Sequence, residues 1–263
     1  MKAHNLFWGA ILILGGGLLL LSNLGVLQVN VWGLIWPTFL IAIGAWILWS
    51  ATVGRESLEV DQVEVSLDGA NQAEIRFDYG AGKLRLGSRT REDLLLAGEF
   101  MGGLNYQTKR VGDALHVNMK SERVGPILLP FSMGPRDWTF DLNDQIPLKL
   151  DVDAGASDMR LDLTNLCVTE LKLDTGASTV EVLLPAQAKH TYVDVSAGVA
   201  TVRFQVPGGV AARIRVEGAL SSTQIDRERF PRIGEVYQSP DYETAANKAD
   251  IHIDAGVGSI EIR

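Results

Sequence analysis

The chain has 263 residues, 46% of them hydrophobic, and a formal net charge of −8. An acidic chain lacks the basic surface that binding to a phosphate backbone requires, so general nucleic-acid binding is excluded. The single cysteine, Cys167, excludes an internal disulfide and a zinc site built from cysteines. Charge is unevenly distributed, because Lys2 is the one charged side chain in residues 1–54.

Two uncharged, mostly apolar segments occupy the start of the chain, over about residues 5–22 and 31–50. At 1.5 Å per residue, each is long enough to cross most or all of a hydrocarbon core of roughly 30 Å. We therefore predict a transmembrane helical hairpin over residues 1–52. Buried core helices and a cleaved signal peptide are the alternatives. No small-residue cleavage site follows the first segment, and a second span comes at once, which disfavours a signal peptide.

Tryptophans lie toward the ends of both predicted spans, where indole rings prefer the headgroup region. The membrane-interface candidates are Trp8, Trp32, Trp36, Trp46 and Trp49. Lys2 precedes the first span and Arg55 follows the second, while the connecting loop has neither lysine nor arginine. The positive-inside rule then predicts a multi-pass protein of the cytoplasmic membrane with both termini in the cytoplasm.

Residues 53–263 form the predicted soluble domain, in which apolar and polar residues alternate. That alternation is typical of strands with one buried face, so the domain is predicted to be all β. Irregular loops are predicted over residues 121–137, where prolines interrupt the pattern, and over residues 227–248. The apolar residues of the first loop either cap the core or contact the membrane or a partner.

A strand, a glycine and a second strand recur along this domain, as in LKLDTGASTVEVLLP from Leu171. Gly155, Gly176, Gly198 and Gly218 are separated by 21, 22 and 20 residues, and a closing copy contains Gly256. A period near twenty predicts the stacked coils of a β-solenoid or β-helix. The glycines are the predicted turn positions of these strand–turn–strand repeats.

Aspartates precede the glycine by two residues in three copies, at Asp153, Asp174 and Asp254. Such a ladder could bind calcium or act on a glycan, as carboxylates do on other β folds. We favour a structural role in which the carboxylates accept hydrogen bonds from turn amides, because no calcium-loop spacing is present. The chain also lacks the HExxH, GxSxG and phosphate-loop motifs, so we predict no catalytic, cofactor or metal site.

Two stretches resemble a known family. The sequence LLLLSNLGVL followed by VWGLIWPTFLIAIG is similar to the transmembrane region of LiaF-like envelope proteins of bacteria. The residues from Trp138 to Pro185 resemble the strand-repeat domain, called toast-rack, that accompanies such regions. The resemblance implies a membrane-anchored accessory protein in cell-envelope stress sensing, which modulates a two-component sensor histidine kinase.

The sequence is therefore compatible with three functions. The favoured one is a non-enzymatic regulator whose partners are the lipid bilayer and other membrane proteins, a sensor histidine kinase among them. The alternative is a structural or adhesive envelope protein whose β-solenoid faces outward. The least favoured is a β-helix enzyme that acts on glycans through Asp153 and Asp174. The sequence does not indicate an oligomeric state.

Overall fold

The structure is a computed structural model that describes residues 36–37, 39–41, 43–45, 60–89, 91–121 and 136–263, with only the backbone at 219–221. The chain divides into two compact units, Met1–Glu56 and Ser57–Arg263. The described residues of the first unit are helical, and Trp36 there is 60% exposed. Within the described ranges, no helix combines the length and the apolar character needed to cross a membrane. The other predicted interface tryptophans, Trp8, Trp32, Trp46 and Trp49, lie outside the described residues.

The second unit is all β, as predicted, and its described strands belong to one sheet. Its strands are β1 (Val60–Ser66), β2 (Gln72–Arg89), β3 (Leu94–Met101), β4 (Leu104–Val111), β5 (Ala114–Ser121), β6 (Asp137–Asn143), β7 (Pro147–Asp162), β8 (Cys167–Leu183), β9 (His190–Gln205), β10 (Ala211–Ile225), β11 (Arg232–Ile233), β12 (Val236–Gln238) and β13 (Lys248–Ile262). Residues 122–135, most of the first predicted loop, lie outside the described ranges.

Six long parallel strands form the body of this unit, in the order β2, β7, β8, β9, β13, β10. Each is bent near its middle, and the bend can be seen in the burial of β7. Leu150 and Val152 point inward before the bend, whereas Met159 and Leu161 point inward after it. The inward side thus shifts from even to odd positions. Both halves contribute to one core cluster, so the two halves of the bent sheet face each other across that core.

The two ends of the stack are closed differently. At one end, β5 pairs with the first half of β2, and β4 pairs with β5. The second half of β2 pairs with β6, which is followed in the sheet by β3 and then β1. Aromatic residues fill the core there, including Tyr79 and Phe100, whose ring centroids lie 4.9 and 5.3 Å from that of Trp138. At the other end, fully buried Phe230 and the β11–β12 hairpin follow β10. The predicted loop over 227–248 therefore contains two short strands.

The coils are not stacked in chain order. β13 lies between β9 and β10, parallel to both, rather than after β10. Its inward Ile251 pairs with Val193 on one side and Ile214 on the other. All three side chains are buried, so the apolar ladder continues through the inserted strand.

Candidate functional site

The predicted turn glycines lie inside continuous strands, so the strand–turn–strand repeat is corrected to a bent strand. Their φ values are outside the left-handed region. A Cβ on Gly155 would lie 2.5 Å from the carbonyl oxygen of Gly80. The corresponding distances are 2.9 Å from Gly176 to Gly155, 2.9 Å from Gly198 to Gly176, and 2.8 Å from Gly256 to Gly198. Glycine is therefore required here by the close approach of neighbouring backbones and not by a turn conformation.

Gly218 does not belong to this column of glycines. It pairs with Ala255, and Leu220 pairs with Val257, so the residue level with Gly256 is Ala219. This offset of one position explains why Gly198 and Gly218 are 20 residues apart, whereas the other spacings are 21 and 22 residues. The column consists of Gly80, Gly155, Gly176, Gly198 and Gly256.

The predicted aspartates form an exposed row beside the glycine column. Asp153 pairs with Asp174 across neighbouring strands, and Ser196 separates Asp174 from Asp254. The three carboxylates make no hydrogen bond or ion pair with any described residue, so the predicted bonding to turn amides is not observed. Among the described side chains, no three metal-ligating groups cluster in a way that could hold an ion. The row is therefore an open line of negative charge.

A groove of about 560 Å³ on the outer face is a stronger candidate site. It crosses the first halves of β8, β9, β13 and β10, and two rows of outward residues line it. One row is Glu170, Tyr192, Asp250 and Arg213, and the other is Lys172, Asp194, His252 and Arg215. They point outward because the alternate positions, such as Val193 and Ile251, are buried in the core.

Tyr192 presents its ring at the centre of the groove and is 55% exposed. The ring of His190 packs against it with a centroid distance of 4.2 Å. His190 Nε2 lies 2.7 Å from Asp250 Oδ2, and the Tyr242 hydroxyl donates to Asp250 Oδ1 at 2.7 Å. This chain of contacts orients His190, whose ring restricts the motion of the Tyr192 ring before any ligand arrives. A side chain that is already ordered loses less conformational entropy on binding.

Charged groups at the groove edge are held by neighbours. The guanidinium of Arg213 lies 4.1 Å from the centroid of the Tyr242 ring and donates to Glu243 at 2.7 Å. Burial raises the pKa of Tyr242, and the hydrogen bond and charge of Asp250 raise it further. The hydrogen bond from Lys149 lowers the pKa of Glu170, and a second one from Lys172 acts in the same direction. Arg213, Tyr242 and Glu170 therefore already have partners, and they stabilise the edge of the groove.

Three groups in the second row remain available for a ligand. Asp194, His252 and Arg215 form no hydrogen bond or ion pair within the described part of the chain. Asp194 and Arg215 are separated by two strand spacings, or about 10 Å. Together with the Tyr192 ring they offer an aromatic surface, a carboxylate, an imidazole and a guanidinium. Tyrosine and arginine are the residue types that most often dominate protein–protein binding energy.

No sequence motif marks this groove. Tyr192 was visible as an aromatic residue at an outward position of a strand, which is a useful signal. Its neighbours were not visible, because they depend on the insertion of β13 between β9 and β10.

Two family models match the chain. Residues 54–205 match the N-terminal domain of toast_rack, and this match ends with β9. Residues 6–48 match the LiaI-LiaF-like transmembrane region, which makes the chain a membrane-anchored protein. No protein among the curated ones matches it.

A solved structure shares the architecture of the β unit. A candidate cell adhesion protein from Clostridium sporogenes ATCC 15579 aligns with a TM-score of 0.71 at 19% identity, over 78% of this chain and 98% of that chain. A candidate adhesin from Bacteroides fragilis NCTC 9343 aligns with a TM-score of 0.28 at 9% identity, over 79% and 98% of the two chains. The first of these likenesses establishes the fold alone. Because the toast_rack model covers more than half of the sequence, the chain belongs to the toast_rack family, and a LiaI-LiaF-like transmembrane region precedes its β unit.

Proposed function

We propose that this protein is a non-enzymatic regulator that binds another membrane protein through the groove around Tyr192. The observation that carries this proposal is the preordered Tyr192 ring beside the uncommitted Asp194, His252 and Arg215. An ordered aromatic residue and an arginine in the same exposed patch are typical of the centre of a protein interface. The LiaF-like resemblance supplies the partner class, a two-component sensor histidine kinase in envelope stress sensing.

The chemistry of the groove supports binding. The two histidines at the groove, His190 and His252, are not arranged as catalytic bases. Among the described residues, the His190 side chain hydrogen-bonds Asp250 alone, and the His252 side chain hydrogen-bonds no hydroxyl or thiol. An activated nucleophile needs such a bond between base and nucleophile. The groups of the groove instead suit recognition of a partner segment with both basic and acidic side chains, because Asp194 and Arg215 present opposite charges.

We further propose the domain arrangement in which residues 1–52 are a two-span hairpin and residues 53–263 lie in the cytoplasm. The match over residues 6–48 supports the anchor. The uncharged connection between the two apolar segments, flanked by Lys2 and Arg55, supports cytoplasmic termini. A cytoplasmic β unit would face the catalytic part of a sensor kinase.

The binding proposal is tested by co-purification of the full chain from mild detergent after envelope stress. We expect Tyr192→Ala and Arg215→Ala each to weaken recovery of the kinase by roughly 5- to 30-fold, the effect of losing about 1–2 kcal/mol at an interface centre. Tyr106→Ala is the matched control, since Tyr106 is also exposed but lies on β4, outside the groove. If both groove variants recover the kinase as well as this control does, the proposal fails.

An adhesive protein with an outward β unit is the second candidate. It is favoured by the fold shared with the candidate cell adhesion protein from Clostridium sporogenes. A cysteine at the exposed Ala246, in a Cys167→Ala background, separates the two candidates. We expect no reaction with a membrane-impermeant thiol reagent in intact cells and full reaction after lysis. Labelling of intact cells would favour the adhesive protein and contradict the cytoplasmic placement.

A further inference from the structure

The second half of β10 has a free edge. β13 pairs with β10 along its whole length, from Ala211 to Ile225. On the opposite side, β12 pairs with β10 only at Arg213 and Ile214. From Gly218 to Ile225, none of the described strands pairs with that side, and the side chains of Ser222, Thr223 and Gln224 are exposed. The backbone amides and carbonyls of this edge are therefore open to another strand.

This edge lacks the features that usually protect a free edge. The edge strand β1 carries Asp61 and Glu64, and the edge strand β4 carries Lys109 and Arg110. Charges of this kind prevent unwanted strand pairing. The eight residues from Gly218 to Ile225, GALSSTQI, contain no charge and no proline, and their pairing with β13 has no bulge. Of these three edges, the β10 edge is the one suited to accept a strand.

We propose that this edge pairs antiparallel with the same edge of a second copy of the chain, about a two-fold axis at Ser222. Glu217 precedes the open segment and Arg227 follows it, and both are exposed with no bonded partner among the described residues. Ser222 is midway between them. A two-fold axis there brings Glu217 of each copy toward Arg227 of the other, so the charge complementarity occurs twice. The chain thus carries both halves of the interface, which favours a second copy over an unrelated strand.

The interface is independent of the groove around Tyr192. The groove occupies the outer face of the first halves of the strands, whereas the open edge belongs to the second half of β10. The polar residues Ser222, Thr223 and Gln224 suit cross-strand hydrogen bonding between exposed side chains. The two copies would extend one sheet across the axis and leave both grooves accessible.

A cysteine series in the full chain tests the register. In a Cys167→Ala background, Ser222→Cys places the two Cα atoms about 4.5–5.5 Å apart, within reach of a disulfide. In this register, the two cysteines of Gln224→Cys are offset by four residues along the strands, about 13 Å, which is too far for a disulfide. After treatment of native membranes with a mild thiol oxidant, which accepts the two electrons of disulfide formation, we expect strong disulfide-linked dimer for Ser222→Cys, less for Thr223→Cys, and background levels for Gln224→Cys. Gln107→Cys on the charged edge of β4 is the control.

Three outcomes of this series would overturn the proposal. One is a yield at Ser222→Cys no higher than at Gln107→Cys. Another is equal yield at positions 222, 223 and 224, which would indicate random collision instead of a fixed register. A disulfide between Ser222→Cys and a different protein in place of a second copy would also overturn it.

Charge reversal gives a second, independent measurement. Glu217→Arg or Arg227→Glu alone should raise the dimer dissociation constant by roughly 2- to 30-fold, because two exposed ion pairs are lost. The double variant restores both ion pairs with the charges exchanged, so it should recover the original dimer dissociation constant. Ser222→Lys places like charges at the axis and should leave a folded monomer. Sedimentation of the full chain in detergent measures all four. Unchanged association in Ser222→Lys, or no recovery in the double variant, would refute the edge as the interface.

Discussion

The glycine column provides the sharpest test of what holds the bent sheet together. Five strands of the stack have a glycine at the bend. In four of them, all except β2 with Gly80, an added Cβ would meet a neighbouring carbonyl oxygen at 2.5–2.9 Å. An ordinary van der Waals contact needs at least 3.4 Å. The obstacle at Gly155 is the backbone of Gly80, which cannot rotate away as a side chain can. Gly155→Ala should therefore force two paired strands apart.

The expected cost follows from the overlap. Overpacking in a tight site destabilises a protein by about 1–3 kcal/mol. Replacing glycine by alanine also restricts the unfolded chain, which favours folding by about 0.4–1 kcal/mol. Gly208→Ala has only the second effect, because nothing lies within 4 Å of the added Cβ and φ is not in the left-handed region. The difference between the two variants should then be about 1–3 kcal/mol, with Gly155→Ala less stable.

Urea unfolding of the full chain in detergent, followed by the β-sheet circular dichroism signal, measures this difference. Gly176→Ala, with its longer contact of 2.9 Å, should fall between the other two variants. Equal unfolding free energies for Gly155→Ala and Gly208→Ala would refute the close-approach explanation. Because both changes are glycine to alanine, the effect on the unfolded chain cancels in the comparison.

Three further predictions concern the β10 end of the stack. Phe230→Ala should lower the free energy of unfolding by about 3–5 kcal/mol, since the ring is fully buried, while Ile233→Ala at an exposed position should change it little in the same urea assay. The raised pKa of Tyr242 stabilises the fold below the ordinary tyrosine pKa of about 10, and this contribution is lost as pH rises further. Tyr242→Phe should therefore flatten the alkaline fall in the urea midpoint. Deleting residues 248–263 should remove hydrogen-exchange protection from β10 as well, because β13 is its main partner; retained protection would contradict the strand order.

The sequence was sufficient to predict the β class and the inward face of the strands. Leu148, Leu150 and Val152 alternate with polar residues, and all three are buried. The shift of the inward side to Met159 and Leu161 was also present in the pattern. A shift of one residue is, however, compatible with either a tight turn or a bend inside a continuous strand. The pattern of apolar residues carries no information about which of the two occurs, because both keep the same side chains in the core.

The candidate site could not be predicted from the sequence for a different reason, which is the place of β13. Its alternation IHID resembles that of the other repeats, so any of several positions in the stack would bury the same side chains. A stack in chain order would put Arg213 directly beside Tyr192. In the structure, Asp250 lies between them, where it fixes His190 and Tyr242. The groove with its ordered Tyr192 ring is thus a product of strand order, and strand order is set by long-range register that local periodicity does not encode.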